Sequence, residues 1–279
     1  MRRIKAEKIS DAVARALIEA NTRLPEDVVY ALQAALEKES SARARRFLEI
    51  ILENAELACN EGWALCQDTG MVVAEVEVGQ EVYIEGDFSQ AINQGVRTGY
   101  ERGYFRKSVV KDPFNRINSG DNTPAIIHTC LVPGEEIRIA LLPKGAGSEN
   151  MGQLAMLKPA AGLEGVKDFI IKVVREAGAN PCPPIIVGVG AGGNMETAAL
   201  LAKKALLRPV NQHHPRSDLA ELEAEMLEEV NRLGVGPQGM GGDTTALAVN
   251  IEVYPTHIAS LPAAVSLGCH STRRMVVTI

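Results

Sequence analysis

The stretch NPCPPIIVGVGAGGNMETAALLAKKALL, Asn180 to Leu207, limits the possible folds more than any other part of the chain. Its apolar run from Ile185 to Val189 is too short for a buried helix, and it passes through a glycine loop into a segment with helical apolar spacing. It reads as strand, tight turn and helix, which calls for a sheet with helices packed against it. Gly188, Gly190 and Gly193 fit G-x-G-x-x-G, the pattern of a dinucleotide-binding turn. Such a site also needs an acidic residue about 20 residues further on, at the end of the next strand, to hold the ribose hydroxyls. At that distance the chain reads RPVNQHHPRSD, with no strand-like run ending in an acid. The other reading is a packing turn whose glycines allow close approach and whose helix-start amides suit an anion. Cys182, between two prolines at the strand entrance, has no use in a phosphate-binding turn.

The remaining pattern predicts a mixed α/β (α+β) fold, one continuous domain over residues 1–279 with a helical section up to about residue 62. In that section SDAVARALIEA opens on the cap candidate Ser10, PEDVVYALQAALEKES carries Pro25 in its first turn, and SARARRFLEIILENAELACNEG ends at Gly62. From Met71 the period becomes two, with Val72, Ala74, Val76 and Val78 opposite Val73, Glu75 and Glu77. EVYIEG follows, and together they predict a hairpin. DFSQAINQGVRTGYERGYF reads as a helix, Arg106 to Pro124 as a polar loop, AIIHTCLV and EIRIALL as strands, and PKGAGSENMGQL as a glycine loop. EGVKDFIIKVVREAG and SDLAELEAEMLEEVNRLG read as helices, and the C-terminal stretch as glycine turns between strands. No fixed-period repeat and no low-complexity linker interrupts the chain.

Aromatic residues make up 4% of the chain with a single Trp, which argues against base-stacking surfaces. The net charge of −6, without a lysine and arginine block, argues against nucleic acid or an anionic membrane as partner. No apolar run reaches the length of a signal peptide core or a membrane span, so a cytoplasmic protein is expected. Five cysteines, odd in number and scattered, suggest reduced thiols or metal ligands rather than a disulfide framework. Cys59 extends the stripe Leu48, Leu52 and Ala55, and Cys130 alternates with Ile126 and His128, so both are expected to be small buried hydrophobes. Cys66, Cys182 and Cys269 lie in polar or glycine-proline loops, too far apart for a local metal motif. If their thiolates converge they select iron-sulfur or zinc.

Cys66 is followed by Gln67 and Asp68, an amide that could orient a substrate and a carboxylate that could move protons; Asp68 also reads as an ordinary turn residue before Thr69 and Gly70. His257 in YPTHIAS is a candidate acid or carboxylate donor, or a hydrogen-bonded structural histidine. Arg106, Lys107, Lys111 and Arg116 put cations in a long loop of an acidic chain, which suits a dicarboxylate or a solvated face. KGAGSEN offers Lys144 and the amides around Gly145 and Gly147 to an anion, or forms a plain loop.

Taken in order, CQDTG, KGAGSEN, NPCPP, GVGAGGNMETA, GMGGDTTALAV and YPTHIASLPAAV, with Cys269 behind them, resemble the class I, iron-sulfur fumarate hydratases, and among them the alpha subunit of the two-subunit form. The resemblance implies that Cys66, Cys182 and Cys269 hold a four-iron, four-sulfur ([4Fe-4S]) cluster whose open iron binds the substrate. It implies that Gln67, Asp68, Arg106, the Gly145 to Gly147 loop and His257 line a dicarboxylate site, with Asp68 and His257 in proton transfer, and that the reaction is reversible hydration of fumarate to malate. In the single-chain members of the family that this sequence resembles, a second domain supplies further arginine, lysine and threonine groups. Because this chain stops at Ile279, a separate beta subunit, in an α2β2 assembly, is expected to complete the site. The alternatives are an L-tartrate dehydratase alpha subunit, a non-catalytic metal-binding interaction subunit and an NAD-binding domain.

Overall fold

A computed structural model describes residues 1–279. The chain runs β1 (Arg2–Lys5), α1 (Ala6–Thr22), α2 (Glu26–Lys38), α3 (Ala42–Glu61), β2 (Met71–Gly79), β3 (Val82–Glu85), α4 (Phe88–Arg102), β4 (Ile126–Val132) and β5 (Ile137–Lys144). It continues with the short α5 (Ala146–Glu149), β6 (Gln153–Leu157), α6 (Gly162–Ala177), β7 (Ile185–Gly192), α7 (Met195–Ala205), α8 (Ser217–Asn231), β8 (Ala246–Tyr254), β9 (Leu261–Gly268) and β10 (Met275–Thr278). These elements are mixed α/β, as the sequence pattern predicts. They gather into two compact units, one of Met1–Pro25, Asn54–Ala146 and Arg273–Ile279, the other of Glu26–Glu53 and Gly147–Thr272. No helix is long and apolar enough to cross a membrane.

In the first unit the sheet order is β10-β5-β2-β4, with β2 parallel to β4 and antiparallel to β5. The alternating face of β2, Val72, Ala74, Val76 and Val78, joins Ile137, Ile139 and Leu141 of β5 in a core closed by Ile9, Val13 and Leu17 of α1 and Ile92, Val96 and Tyr100 of α4. The two helices touch at Gly95, where a Cβ would stand 2.6 Å from Val13 Cβ and 2.7 Å from the carbonyl oxygen of Ser10. Two sequence expectations fail here. Ser10 is not a cap, because α1 begins at Ala6 directly after β1. The β2–β3 hairpin does not form either: β2 has β5 and β4 on its two edges, and β3 pairs in parallel with β1.

The second unit has sheet order β6-β9-β7-β8, β7 parallel to β8 and β9 antiparallel to both β6 and β7. Strand period two divides β7 between two layers. Ile185, Val187 and Val189 face α6 and α8 through Phe169, Ile170, Val173, Leu222, Met226 and Val230. On the other face α7 lies so close that a Cβ at Gly188 would come 2.3 Å from the carbonyl oxygen of Ala202, and one at Gly190 2.1 Å from that of Ala198. The G-x-G-x-x-G glycines thus hold helix against strand. Asn194 then caps α7, its side chain accepting from the Thr197 amide. The GMGGDT turn is fixed by buried Glu39, whose carboxylate accepts from the amides of Asp243 and Thr244.

Cys59 and Cys130 are exposed, against expectation. The buried stripe of α3 is Ala44, Leu48, Ile51, Ala55 and Ala58, and Cys59 stands one residue beyond it, turned about 100° away. Cys130 lies on β4, an edge strand with neighbours on one side only.

The loop between α4 and β4 is built from its own polar groups. Asp121 accepts from Arg97 Nε at 2.9 Å, from the Thr123 amide at 3.0 Å and from the Thr123 hydroxyl at 2.7 Å. Desolvation alone would raise the pKa of Asp121, but Thr123 and Arg97 outweigh it and hold the value at about 2, below the ordinary 3.8. A depressed carboxylate contributes stability above its unfolded pKa and loses it as pH falls through the folded one. Asp121→Asn should therefore lower the urea midpoint relative to the parent at pH 6, with the difference shrinking between pH 4 and pH 2; a difference independent of pH would contradict the ion-pair account. Gly190→Ala should destabilise the fold by about 1–3 kcal/mol or more, since the added methyl must displace helix backbone. A urea transition unchanged in Gly190→Ala would refute that packing role.

Candidate active site

Residues 65–70, LCQDTG, have little regular structure, and side chains from distant positions hold their carbonyls. The Leu65 carbonyl accepts from Asn54 Nδ2 at 3.1 Å, that of Asp68 from Arg273 Nη1 at 2.7 Å, that of Thr69 from the Tyr100 hydroxyl at 2.6 Å, and that of Gly70 from Asn122 Nδ2 at 3.1 Å. The Leu65 amide donates to Asn21 O at 2.8 Å. Arg273 is buried, and its Nη1 also donates to buried Asn21 Oδ1 at 3.2 Å. Burial pushes the Tyr100 phenol well above its ordinary pKa of 10.0, so it remains a protonated donor. With its backbone held this way, the loop presents the half-buried Cys66 thiol, the exposed Gln67 amide and the half-buried Asp68 carboxylate.

The Asp68 carboxylate is oriented by two amides, Gly70 N–H to Oδ1 at 3.0 Å and Ala146 N–H to Oδ2 at 2.7 Å. A Cβ at Gly145 would lie 3.1 Å from Asp68 Oδ2 and 3.4 Å from Arg273 Nη2, tighter than ordinary contact. Gly70, at φ +79, has the backbone of Lys144 where its Cβ would be, the nearest atom at 2.6 Å. The CQDTG and KGAG motifs thus meet backbone to backbone. Lys144 is buried, with Nζ 3.4 Å from the Gly145 carbonyl. Arg106 is tied in through its carbonyl, which accepts from the Thr69 hydroxyl at 2.7 Å, while its guanidinium is exposed.

In the second unit the loops of Cys182 and Cys269 are stitched together. The carbonyl of Cys182 accepts from the His270 amide at 3.2 Å and stands 3.0 Å from His270 Nδ1, so the residue after Cys269 binds the backbone of Cys182. Cys182 itself has φ +55, a left-handed conformation that costs a side-chain-bearing residue about 1–2 kcal/mol. Its amide bonds to the Ala179 carbonyl at 3.0 Å, and Gln238 donates to the Pro183 carbonyl from both its amide and its side chain. The Thr272 hydroxyl closes the turn on the Cys269 carbonyl at 2.7 Å. A Cβ at Gly147 would make ordinary contact, 3.6 Å from the Asn180 carbonyl oxygen, two residues before Cys182. His257 is exposed, and its Nδ1 accepts from the Ala259 amide at 3.1 Å, which directs the proton of the neutral ring to Nε2.

Asp68, Gly145, Arg106 and Lys144 are thus brought together in one unit with Cys66, and Cys182 is brought to Cys269 and Gly147 in the other, which also carries His257. No group of three or more His, Cys, Asp or Glu side chains is gathered as around a metal ion. The three loop cysteines are in no disulfide and are at least partly exposed, and the backbones of Cys182 and Cys269 are held by hydrogen bonds to their carbonyls. That donor set, three soft thiols on fixed loops, fits an iron-sulfur group. Asn21, Asn54, Tyr100, Asn122, Gln238, His270 and Arg273 escape sequence reasoning. Arg273 alone leaves a trace, a basic pair four residues beyond Cys269.

Comparison with known proteins agrees with this arrangement of motifs. The fumarate hydratase (Fumerase) family model matches residues 10–278. A Methanocaldococcus jannaschii protein named "Putative L(+)-tartrate dehydratase subunit alpha" is 43% identical over 98% of this chain and 98% of its own length. The L(+)-tartrate dehydratase subunit alpha of Escherichia coli K12 is 33% identical over 96% of this chain and 89% of its own, and that of Shigella sonnei is similar to the same extent. By this match and by the order of its motifs, the chain belongs to the fumarate hydratase family of hydro-lyases.

Proposed function

We propose that this chain is the alpha subunit of an iron-sulfur hydro-lyase acting on a four-carbon dicarboxylate, and that its reaction is the reversible hydration of fumarate to (S)-malate. The observation that carries the reading is the Asp68 carboxylate, fixed by two backbone amides in the same rigid loop as the Cys66 thiol, against a glycine-lined KGAG turn. In this reading Cys66, Cys182 and Cys269 hold a [4Fe-4S] cluster. When bound, it supplies an open iron that acts as a Lewis acid on the substrate hydroxyl.

Dehydration of malate breaks the C2–O and C3–H bonds and hydration forms them; no electron is transferred. Asp68 has one amide on each oxygen, which leaves a lone pair on each to take or return a proton at substrate or water. The Gln67 side chain orients the substrate beside it. His257 offers Nε2–H as donor to a carboxylate or as acid. Arg106, Lys144 and the amides of Gly145 and Gly147 bind the two carboxylates of the substrate. The relatives' name, subunit alpha, supports a separate beta subunit, which the proposal joins to this chain as α2β2, and five cysteines in no disulfide suit a cytoplasmic enzyme.

The name L(+)-tartrate dehydratase favours a second reading, in which the substrate carries one more hydroxyl and that group is read by a few polar contacts. The anaerobically assembled enzyme should hydrate fumarate with a kcat/KM at least about tenfold above that for L-tartrate dehydration. The reverse ratio would establish the second reading, and turnover of neither would overturn the hydro-lyase proposal. Asp68→Asn should lower kcat by about 10²–10⁴-fold while iron and sulfide content stay at the parent level. A kcat within twofold of the parent would remove Asp68 from proton transfer.

A further inference from the structure

The loop that follows α4 reverses the usual economy of a surface loop. Much of its backbone is bonded within the loop, while three of its large apolar side chains are presented to water. Phe105 is buried edge-on against Tyr100, with ring centroids 5.7 Å apart, and fixes the start of the loop. Asn122 Oδ1 accepts from the Ser108 amide at 2.7 Å, and Asn118 Nδ2 donates to the Lys107 carbonyl at 2.8 Å. Val110 bridges Asn118, the Lys111 amide bonds to the Ile117 carbonyl at 2.8 Å, and Asp112 Oδ1 caps the tip by accepting from Phe114 and Asn115. The result is a closed, hairpin-like tip rather than a slack loop. Yet Tyr104 is 95%, Phe114 93% and Ile117 56% exposed.

The charge of the same segment is the opposite of the chain's. Residues 103–118 hold Arg106, Lys107, Lys111 and Arg116 against Asp112 alone, in a chain of net charge −6. Asp112 spends its carboxylate on the turn. A prearranged loop that offers aromatic and aliphatic anchors among cations has the make-up of a protein interface core, where Tyr, Phe and Arg concentrate and prior ordering lowers the entropy cost of association. A metabolite would use the cations but not Phe114.

We propose that the 103–118 loop is the docking surface for the complementary subunit of this enzyme, and that the partner meets it with an acidic surface enclosing an apolar pocket for Phe114 and Ile117. The inference rests on the two-subunit reading above and adds to it the surface and the chemistry of the partner. Arg106 belongs to the same loop, so a subunit seated here would also cover a residue assigned to substrate.

The test co-expresses this chain with the beta subunit that the proposed enzyme requires and measures their association in solution. Phe114→Asp with Ile117→Asp should raise Kd by at least about 30-fold, the size of an interface hot spot, while circular dichroism and thermal melting of the isolated chain stay unchanged. Lys111→Glu with Arg116→Glu should slow association and flatten its dependence on salt. Leu131→Asp, on the exposed edge strand β4, should leave association unaltered. If the parent pair associates and the Phe114, Ile117 variant associates equally well, or if Leu131→Asp alone weakens the pair, the surface is wrong and the two-subunit reading stands. If the parent chain associates with no beta subunit, the two-subunit reading falls and this surface falls with it.

Discussion

The buried guanidinium of Arg273 is the interaction on which the candidate site rests. It donates to the carbonyl of Asp68 and to Asn21, whose own carbonyl receives the amide of Leu65, so one side chain and its neighbour hold both ends of the segment that carries Cys66, Gln67 and Asp68. A charged donor to a neutral acceptor is worth about 1.5–3 kcal/mol, and removing a buried charge's partner costs more than the bond supplied. The segment has no strand or helix to keep its shape. Its rigidity is therefore borrowed from α1, α4 and the chain just before β10, which gives the burial of Asn21, Tyr100 and Arg273 a purpose beyond packing.

Glycine carries the second constraint, and it acts differently in the two units. At Gly70 and Gly145 it lets one loop backbone lie directly on another and leaves the Asp68 carboxylate room beside the KGAG turn. At Gly188 and Gly190 it lets α7 touch β7. The two uses look alike in sequence, where each is only a glycine in a short motif. Only the first brings a backbone amide to a carboxylate that could do chemistry.

Much of the fold can be read from the sequence because it is set locally. The helices α2, α3, α4, α6, α7 and α8 and the strands β2, β4, β5 and β7 follow from apolar period and from punctuation by glycine and proline. The failures have non-local causes. EVYIEG is a good strand, but β2 had no free edge for it, and β1, about 80 residues earlier at the N-terminus, took it instead. Cys130 alternates correctly with its neighbours but sits on a strand with β2 on one edge and no strand on the other, and Cys59 misses a stripe by one residue. The same division runs through the site. The motif residues stand out because several unusual loops recur in order, whereas Asn21, Tyr100 and Asn122 act on backbone atoms of the 65–70 loop that are 30 to 52 residues away and leave no mark in the sequence around them.

The proposed function stands on three loop thiols, Cys66, Cys182 and Cys269, serving one iron-sulfur group. The most direct measurement is the iron and acid-labile sulfide content of the anaerobically prepared protein, compared with Cys66→Ser, Cys182→Ser and Cys269→Ser, with Cys59→Ser and Cys130→Ser as exposed controls. The account predicts about four irons and four sulfides per chain in the parent and both controls, and loss of both from each of the three loop variants. A parent that binds no cluster after anaerobic reconstitution, or loop variants that keep it as the controls do, would contradict the account.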